Sequence, residues 1–100
     1  MPILAIFKGK GFTKEMYEQA RKEVDWEHKK AAGAIFHAAA FDDDGTLHVV
    51  DVWDSKESMD TFFKDRLAPA FEKLSIPFPE YEVFPAHNIN TYSSIDQYKI

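Results

Sequence analysis

The sequence predicts an α+β fold in which four antiparallel strands form one sheet and two helices cover one of its faces. Three observations lead there. Along the 100 residues the apolar pattern changes period in the order strand, helix, strand, strand, helix, strand. Asp43-Asp44-Gly45 marks a hairpin between the two middle strands. Residues 49–63, VVDVWDSKESMDTFF, hold a strand, a tight turn and a helix start without a break. With right-handed crossovers, that order is the split βαβ, ferredoxin-like arrangement βαββαβ.

Residues 2–8 read as the first strand, with Ile3, Ala5 and Phe7 on one face and Leu4 and Ile6 on the other, the pattern of a strand buried on both sides. Thr13 caps a helix expected to run to His28. Met16, Tyr17, Ala20 and Val24 form its apolar stripe, and Glu18 and Lys22 stand four apart on the wet side. The second and third strands occupy residues 34–42 and 46–54. Their loop leaves two registers open. Three loop residues with Gly45 left-handed pair Asp42 with Thr46 and put His37 opposite Asp51. Two loop residues, Asp44-Gly45, set His37 against Val52 and turn the carboxylate to the other side of the sheet.

Ser55 caps the second helix, and Glu57 and Asp60 place negative charge near its amino end, where the helix dipole favours it. Met59, Phe62, Phe63, Leu67, Ala70, Phe71 and Leu74 recur three and four apart, a stripe suited to covering a sheet. Pro69 has no amide for the Asp65 carbonyl and disturbs Ala68, so a kink or break is expected before a short continuation to Leu74. Residues 76–79, IPFP, are a stiff connection to a fourth strand over residues 80–88, where Pro85 calls for an edge or a bulge. Residues 1–89 thus form one domain. Residues 90–100 read as an arm that packs on this chain or a neighbour, or is disordered.

Composition bounds the function. Hydrophobic residues at 45% and charged ones at 29% fit a single globular domain. Twelve basic against seventeen acidic residues, a net charge of −5, argue against nucleic acid, which needs a concentrated basic surface. There is no cysteine, hence no disulfide framework and no thiolate chemistry. No stretch approaches the roughly 20 apolar residues needed to cross a bilayer, and MPILAIFKGKG has neither a basic region nor a cleavage site. A cytoplasmic protein with no membrane partner is expected. The strands carry apolar groups on both faces, as in Ile3 and Leu4, Val49 and Val50, or Val83 and Phe84, whereas the helices cover one. Burial at about 25 cal/mol per Å² makes the second face a large term, so a homodimer joined through its sheets is expected.

The segments GFTKEMYEQ, GAIFHAAAFDDDG, HVVDVWDSKESMDTFFKDRLAPAF and EVFPAHN, in this order, resemble the antibiotic-biosynthesis-monooxygenase-like group of the dimeric α/β-barrel superfamily. The resemblance spans about residues 1–89, and the strand-to-helix signature V-x-V-W-x-S-x-E is its most specific part. It implies a dimer with a pocket between sheet and helices in each subunit. Activities in the group, as the resemblance implies, include cofactor-free oxygenation of aromatic polyketides or quinols and haem degradation. Trp53 matches the signature tryptophan, a pocket-lining side chain in some of those branches; packing under the second helix is its simpler role.

Asp51 lies two residues before Trp53 on the same strand face, and a buried carboxylate needs a donor, for which His37 is the candidate. Such a pair deprotonates a phenol or is a structural hydrogen bond within a sheet. Tyr17, on the inner side of the first helix, lines the same pocket or anchors the helix. Arg66 interrupts the apolar stripe, where it snorkels, binds an anionic group of a substrate or takes a carbonyl freed by Pro69. His87 ends the fourth strand, at the sheet edge opposite His37. A composite site joining His37 of one chain to His87 of another is one expectation, and a capping or interface role the other. Histidines 28, 37, 48 and 87 show no metal-ligand spacing, the second helix, from which the resemblance implies a haem ligand would come, has no histidine, and there is no nucleotide-binding motif. No metal and no cofactor are therefore expected. The function expected is a homodimeric barrel that binds a small hydrophobic or aromatic metabolite, with cofactor-independent mono-oxygenation as the candidate reaction. In it His37 is the base, Asp51 its orienting partner, and Trp53 and Tyr17 walls. The alternative is a non-catalytic dimer that binds or protects a small molecule; a metal-assisted or isomerase-like enzyme ranks third.

Overall fold

The strand that opens the chain sits in the middle of the sheet. In the computed structural model, which describes all 100 residues, β1 (Ile3–Gly9) is flanked by β3 (Leu47–Trp53) and β4 (Glu80–Pro85), while β2 (Ala34–Phe41) pairs with β3. The order is β2-β3-β1-β4, antiparallel throughout, which is the expected ferredoxin-like topology. Alternation decides which side is covered: Ile3, Ala5 and Phe7 are buried beneath the helices.

Helix α1 (Lys14–Val24) starts where Thr13 accepts from the Met16 amide at 3.0 Å. It stops four residues before the expected His28. Asp25 turns left-handed at φ 59°, and its amide donates to the Arg21 carbonyl at 2.9 Å. Residues 25–28 then form a turn that sets Trp26 against the sheet, its ring centroid 5.4 Å from that of His37. Glu18 pairs with Arg21 at 2.8 Å rather than with Lys22.

The hairpin takes the three-residue loop. Gly45 sits at φ 81°, and the Asp42 amide donates to the Thr46 carbonyl at 3.0 Å. Asp42 also closes the loop with its carboxylate, which accepts from the amides of Asp44 at 2.9 Å and Thr46 at 3.0 Å. His37 therefore stands opposite Asp51.

Ser55 caps helix α2 (Lys56–Phe62) by accepting from the Ser58 amide at 3.1 Å. No break follows. A π-helical turn (Phe63–Leu67) leads directly into helix α3 (Ala68–Leu74), with the Ala68 amide bonded to the Phe63 carbonyl five residues back. Widening the helix by one residue accommodates Pro69, which can neither donate to Asp65 nor tolerate its carbonyl at the usual distance. The stripe survives: Met59 is wholly buried, and Phe62, Phe63, Ala70 and Phe71 close over the sheet.

Strand β4 is an edge strand, as Pro85 demands, and ends at Pro85 rather than at Asn88. One more bond, Ala86 amide to Pro2 carbonyl at 3.0 Å, closes the ladder. The arm contains a 3-10 helix (Ser93–Tyr98), and Tyr92 just before it and Tyr98 at its end are 73% and 79% exposed. On the sheet face away from the helices, Leu4, Ile6, Phe36, Val50, Val52 and Phe84 meet no covering helix, and Ile6 and Phe84 are 42% and 45% exposed. In the single chain β1 is thus buried on one side rather than two. No helix is long and apolar enough to cross a membrane.

Candidate functional site

The pairing of β2 with β3 brings an imidazole and a carboxylate together on the covered face. His37 Nδ1 lies 2.6 Å from Asp51 Oδ1, and the Asp51 side chain is only 11% exposed. Trp53, two residues further along the same face, donates from Nε1 to Asp51 Oδ2 at 3.4 Å. Each carboxylate oxygen thus has a donor, which offsets the cost of holding a charge there. Across the gap, α1 supplies Tyr17, whose hydroxyl lies 2.7 Å from His37 Nε2. The Tyr17 and His37 rings are nearly parallel, 10° apart, and Trp26 meets Tyr17 edge-on with centroids 5.7 Å apart.

These groups face a cavity of about 260 Å³ between the sheet and the helices. Phe7, Phe12, Val49, Phe62 and Phe71 make most of its wall apolar, and its ionisable lining groups are Tyr17, Lys30, His37 and Asp51. Burial pushes the Tyr17 phenol well above the ordinary tyrosine range, and the negative charge of Glu27 adds to this. Tyr17 therefore keeps its hydrogen at neutral pH. An ionised Asp51 has no hydrogen to give, so the Nδ1 facing it carries the imidazole proton. In that tautomer Nε2 is the acceptor and the Tyr17 hydroxyl, 2.7 Å away, is its donor.

Four of the six residues singled out in the sequence meet here: Tyr17, His37, Asp51 and Trp53. Arg66 does not reach the cavity. Its Nη2 donates to the Val24 carbonyl at 3.0 Å and its guanidinium lies 5.1 Å from the Phe62 ring centroid, so it joins the end of α1 to the second helical segment. The carbonyl it serves is that of Val24, not one freed by Pro69. His87 is exposed just beyond β4, at the edge opposite β2. Among the lining residues that escaped the sequence reading, Trp26 lay hidden in a helix expected to continue, and Lys30 gave no signal beyond its charge.

No family model matches the sequence, and no curated protein matches it. Solved structures do. A monooxygenase from the gene ActVA-Orf6 of Streptomyces coelicolor, in complex with the ligand Nanaomycin D, is 19% identical with a TM-score of 0.67, over 91% of this chain and 92% of that one. SnoaB, a cofactor-independent oxygenase from Streptomyces nogalater, is 12% identical with a TM-score of 0.65, over 88% and 95%. The chain shares the ferredoxin-like βαββαβ fold of these structures. A conserved protein from Methanosarcina mazei shares the fold as well, at 18% identity and a TM-score of 0.64, over 84% of this chain and 91% of that one. At these identities the likeness establishes architecture, and one architecture hosts many reactions. On this fold Tyr17, His37 and Asp51 meet in the lining of a largely apolar cavity, an arrangement that can hold a ligand hydroxyl and accept its proton.

Proposed function

We propose that this chain binds a small hydrophobic or aromatic molecule in the cavity and oxidises it with molecular oxygen, without a cofactor. The observation that carries the reading is the hydrogen-bonded series Tyr17, His37, Asp51, which opens into a cavity whose walls are otherwise largely apolar. Such oxygen chemistry needs a substrate that becomes an electron-rich anion on losing a proton. The protein supplies a base, orientation and a dry surround. His37 is the base, Asp51 orients it and stabilises its cation, and Trp53 and Tyr17 form walls. Oxygen is both the oxidant and the source of the inserted atom; the substrate itself supplies all four electrons, losing its O–H and a ring C–H hydrogen to the second oxygen atom, which leaves as water, and departing as a quinone. A volume of about 260 Å³ lies just under the ~300–1,000 Å³ usual for ligand pockets, so the substrate is small. Similar folds that carry the names monooxygenase and cofactor-independent oxygenase support the same reading.

We further propose that the working form is a homodimer joined through the uncovered face, because Ile6 and Phe84 on that face would otherwise leave hydrocarbon in water. Oxygen uptake over a panel of phenols and hydroquinones tests the reaction. The parent protein should consume oxygen with at least one compound, and His37→Ala should lower the rate by about 10²-fold or more. A parent that binds these compounds without consuming oxygen would instead be the non-catalytic binder.

A further inference from the structure

His37 has two ring nitrogens, and both are occupied within the chain: Nδ1 by Asp51 at 2.6 Å and Nε2 by the Tyr17 hydroxyl at 2.7 Å. No lone pair on the imidazole remains for a ligand. Tyr17 differs. With the imidazole proton on Nδ1, its oxygen, 2.7 Å from Nε2, gives its one hydrogen to that nitrogen and keeps acceptor capacity, and the residue lines the cavity. Resting on the reading of this cavity as the reaction site, we propose that Tyr17 is a catalytic residue. Its hydroxyl is the group that receives the hydrogen of a hydroxyaromatic substrate while passing its own hydrogen to His37.

The step balances without any change of oxidation state. The substrate O–H breaks and leaves its electron pair on the substrate oxygen, and a new O–H forms on Tyr17. The former Tyr17 O–H breaks, and an N–H forms at His37 Nε2. Tyr17 is unchanged at the end, and one proton has moved from the substrate to an imidazolium held by Asp51. Burial of the Tyr17 phenol, which disfavours its ionised form, suits a group that carries hydrogen rather than resting as phenolate. Asp51 acts through His37 as a positioning residue, and the Trp53 indole holds its second oxygen. The substrate class follows: a phenol or hydroquinone acidic enough to ionise against neutral imidazole, not an aliphatic alcohol.

Tyr17→Phe separates this route from direct attack by His37, because it deletes the carrier and frees Nε2 at once. With 1-naphthol and 1,4-naphthohydroquinone as probes, the relay predicts that kcat falls about 10²-fold or more with a smaller change in KM. Activity equal to or above the parent would overturn it. Circular dichroism of the variant checks that it folds. Long-range proton–nitrogen correlation spectra of His37 in the parent give a readout independent of turnover: Nδ1 protonated and Nε2 bare is expected. A proton on Nε2 would mean that Tyr17 accepts from the ring, and the relay could not run. If neither probe is turned over by the parent, the oxygenase reading fails while the tautomer still decides the relay.

Discussion

The two faces of the sheet are built from the same four strands, one residue out of step, and they meet opposite conditions. On the helix side Ala5, Phe7, Val49 and Trp53 are buried, and Asp51 is held by two donors. On the other side Ile6 and Phe84 stand about half exposed with no helix over them, although Val52 on the same face is buried. The covered face can keep a charged group because every polar atom there has a partner; no buried side-chain nitrogen or oxygen is left without one. The bare face has no such network and is suited to meeting another apolar surface. Period-two alternation therefore gives one sheet a covered face with a polar network and a second face that no helix covers.

The sharpest way to break that contrast is to open the covered face. Met59 is wholly buried, and Met59→Ala should lower unfolding stability by about 2–5 kcal/mol in urea titrations. A value well below that range would mean that the helices sit loosely on the sheet. Next is the polar pair. His37→Ala leaves Asp51 without its shortest hydrogen bond and should cost about 1–3 kcal/mol. His37→Ala combined with Asp51→Asn should cost less than the sum of the two single changes; strict additivity would remove the coupling. On the bare face, Ile6→Gln, which puts no like charge opposite Glu82, should leave unfolding of the single chain almost unchanged, yet raise the dissociation constant of the proposed dimer at least tenfold, about 1.4 kcal/mol, by sedimentation velocity. Unchanged sedimentation would move the interface elsewhere. The smallest effect is spectroscopic. Burial raises the Tyr17 phenol above the ordinary value near ~10, so Tyr17→Phe should not reduce the tyrosinate absorbance gained between about pH 9 and pH 11.

How much of this was legible varies by residue. The element order and the apolar stripe of the second helix could be read directly, because periodicity reports which face is buried. The His37–Asp51 pairing could be read only as one of two registers, since Asp44-Gly45 suits either loop. The choice came from the Asp42 carboxylate, which accepts from both Asp44 and Thr46. Tyr17 was legible as facing inward but not as a partner of His37, a contact set by how α1 lies on the sheet rather than by local spacing. Trp26 was hidden because Asp25 takes left-handed angles that asparagine or glycine would have advertised more openly. Arg66 stood out as a charge within a greasy stripe, but its target, the Val24 carbonyl, lies 42 residues away.

The central claim is that the covered face holds the ligand site and the bare face does not. Titrating 1-naphthol into nitrogen-15-labelled protein tests it directly. Backbone amide signals of Tyr17, His37, Asp51 and Trp53, with the ring nitrogens of His37 and Trp53, should shift together in a saturable way, while the amides of Ile6, Val50 and Phe84 stay in place. Shifts centred on Ile6, Val50 and Phe84, or none on the four cavity residues, would contradict the account.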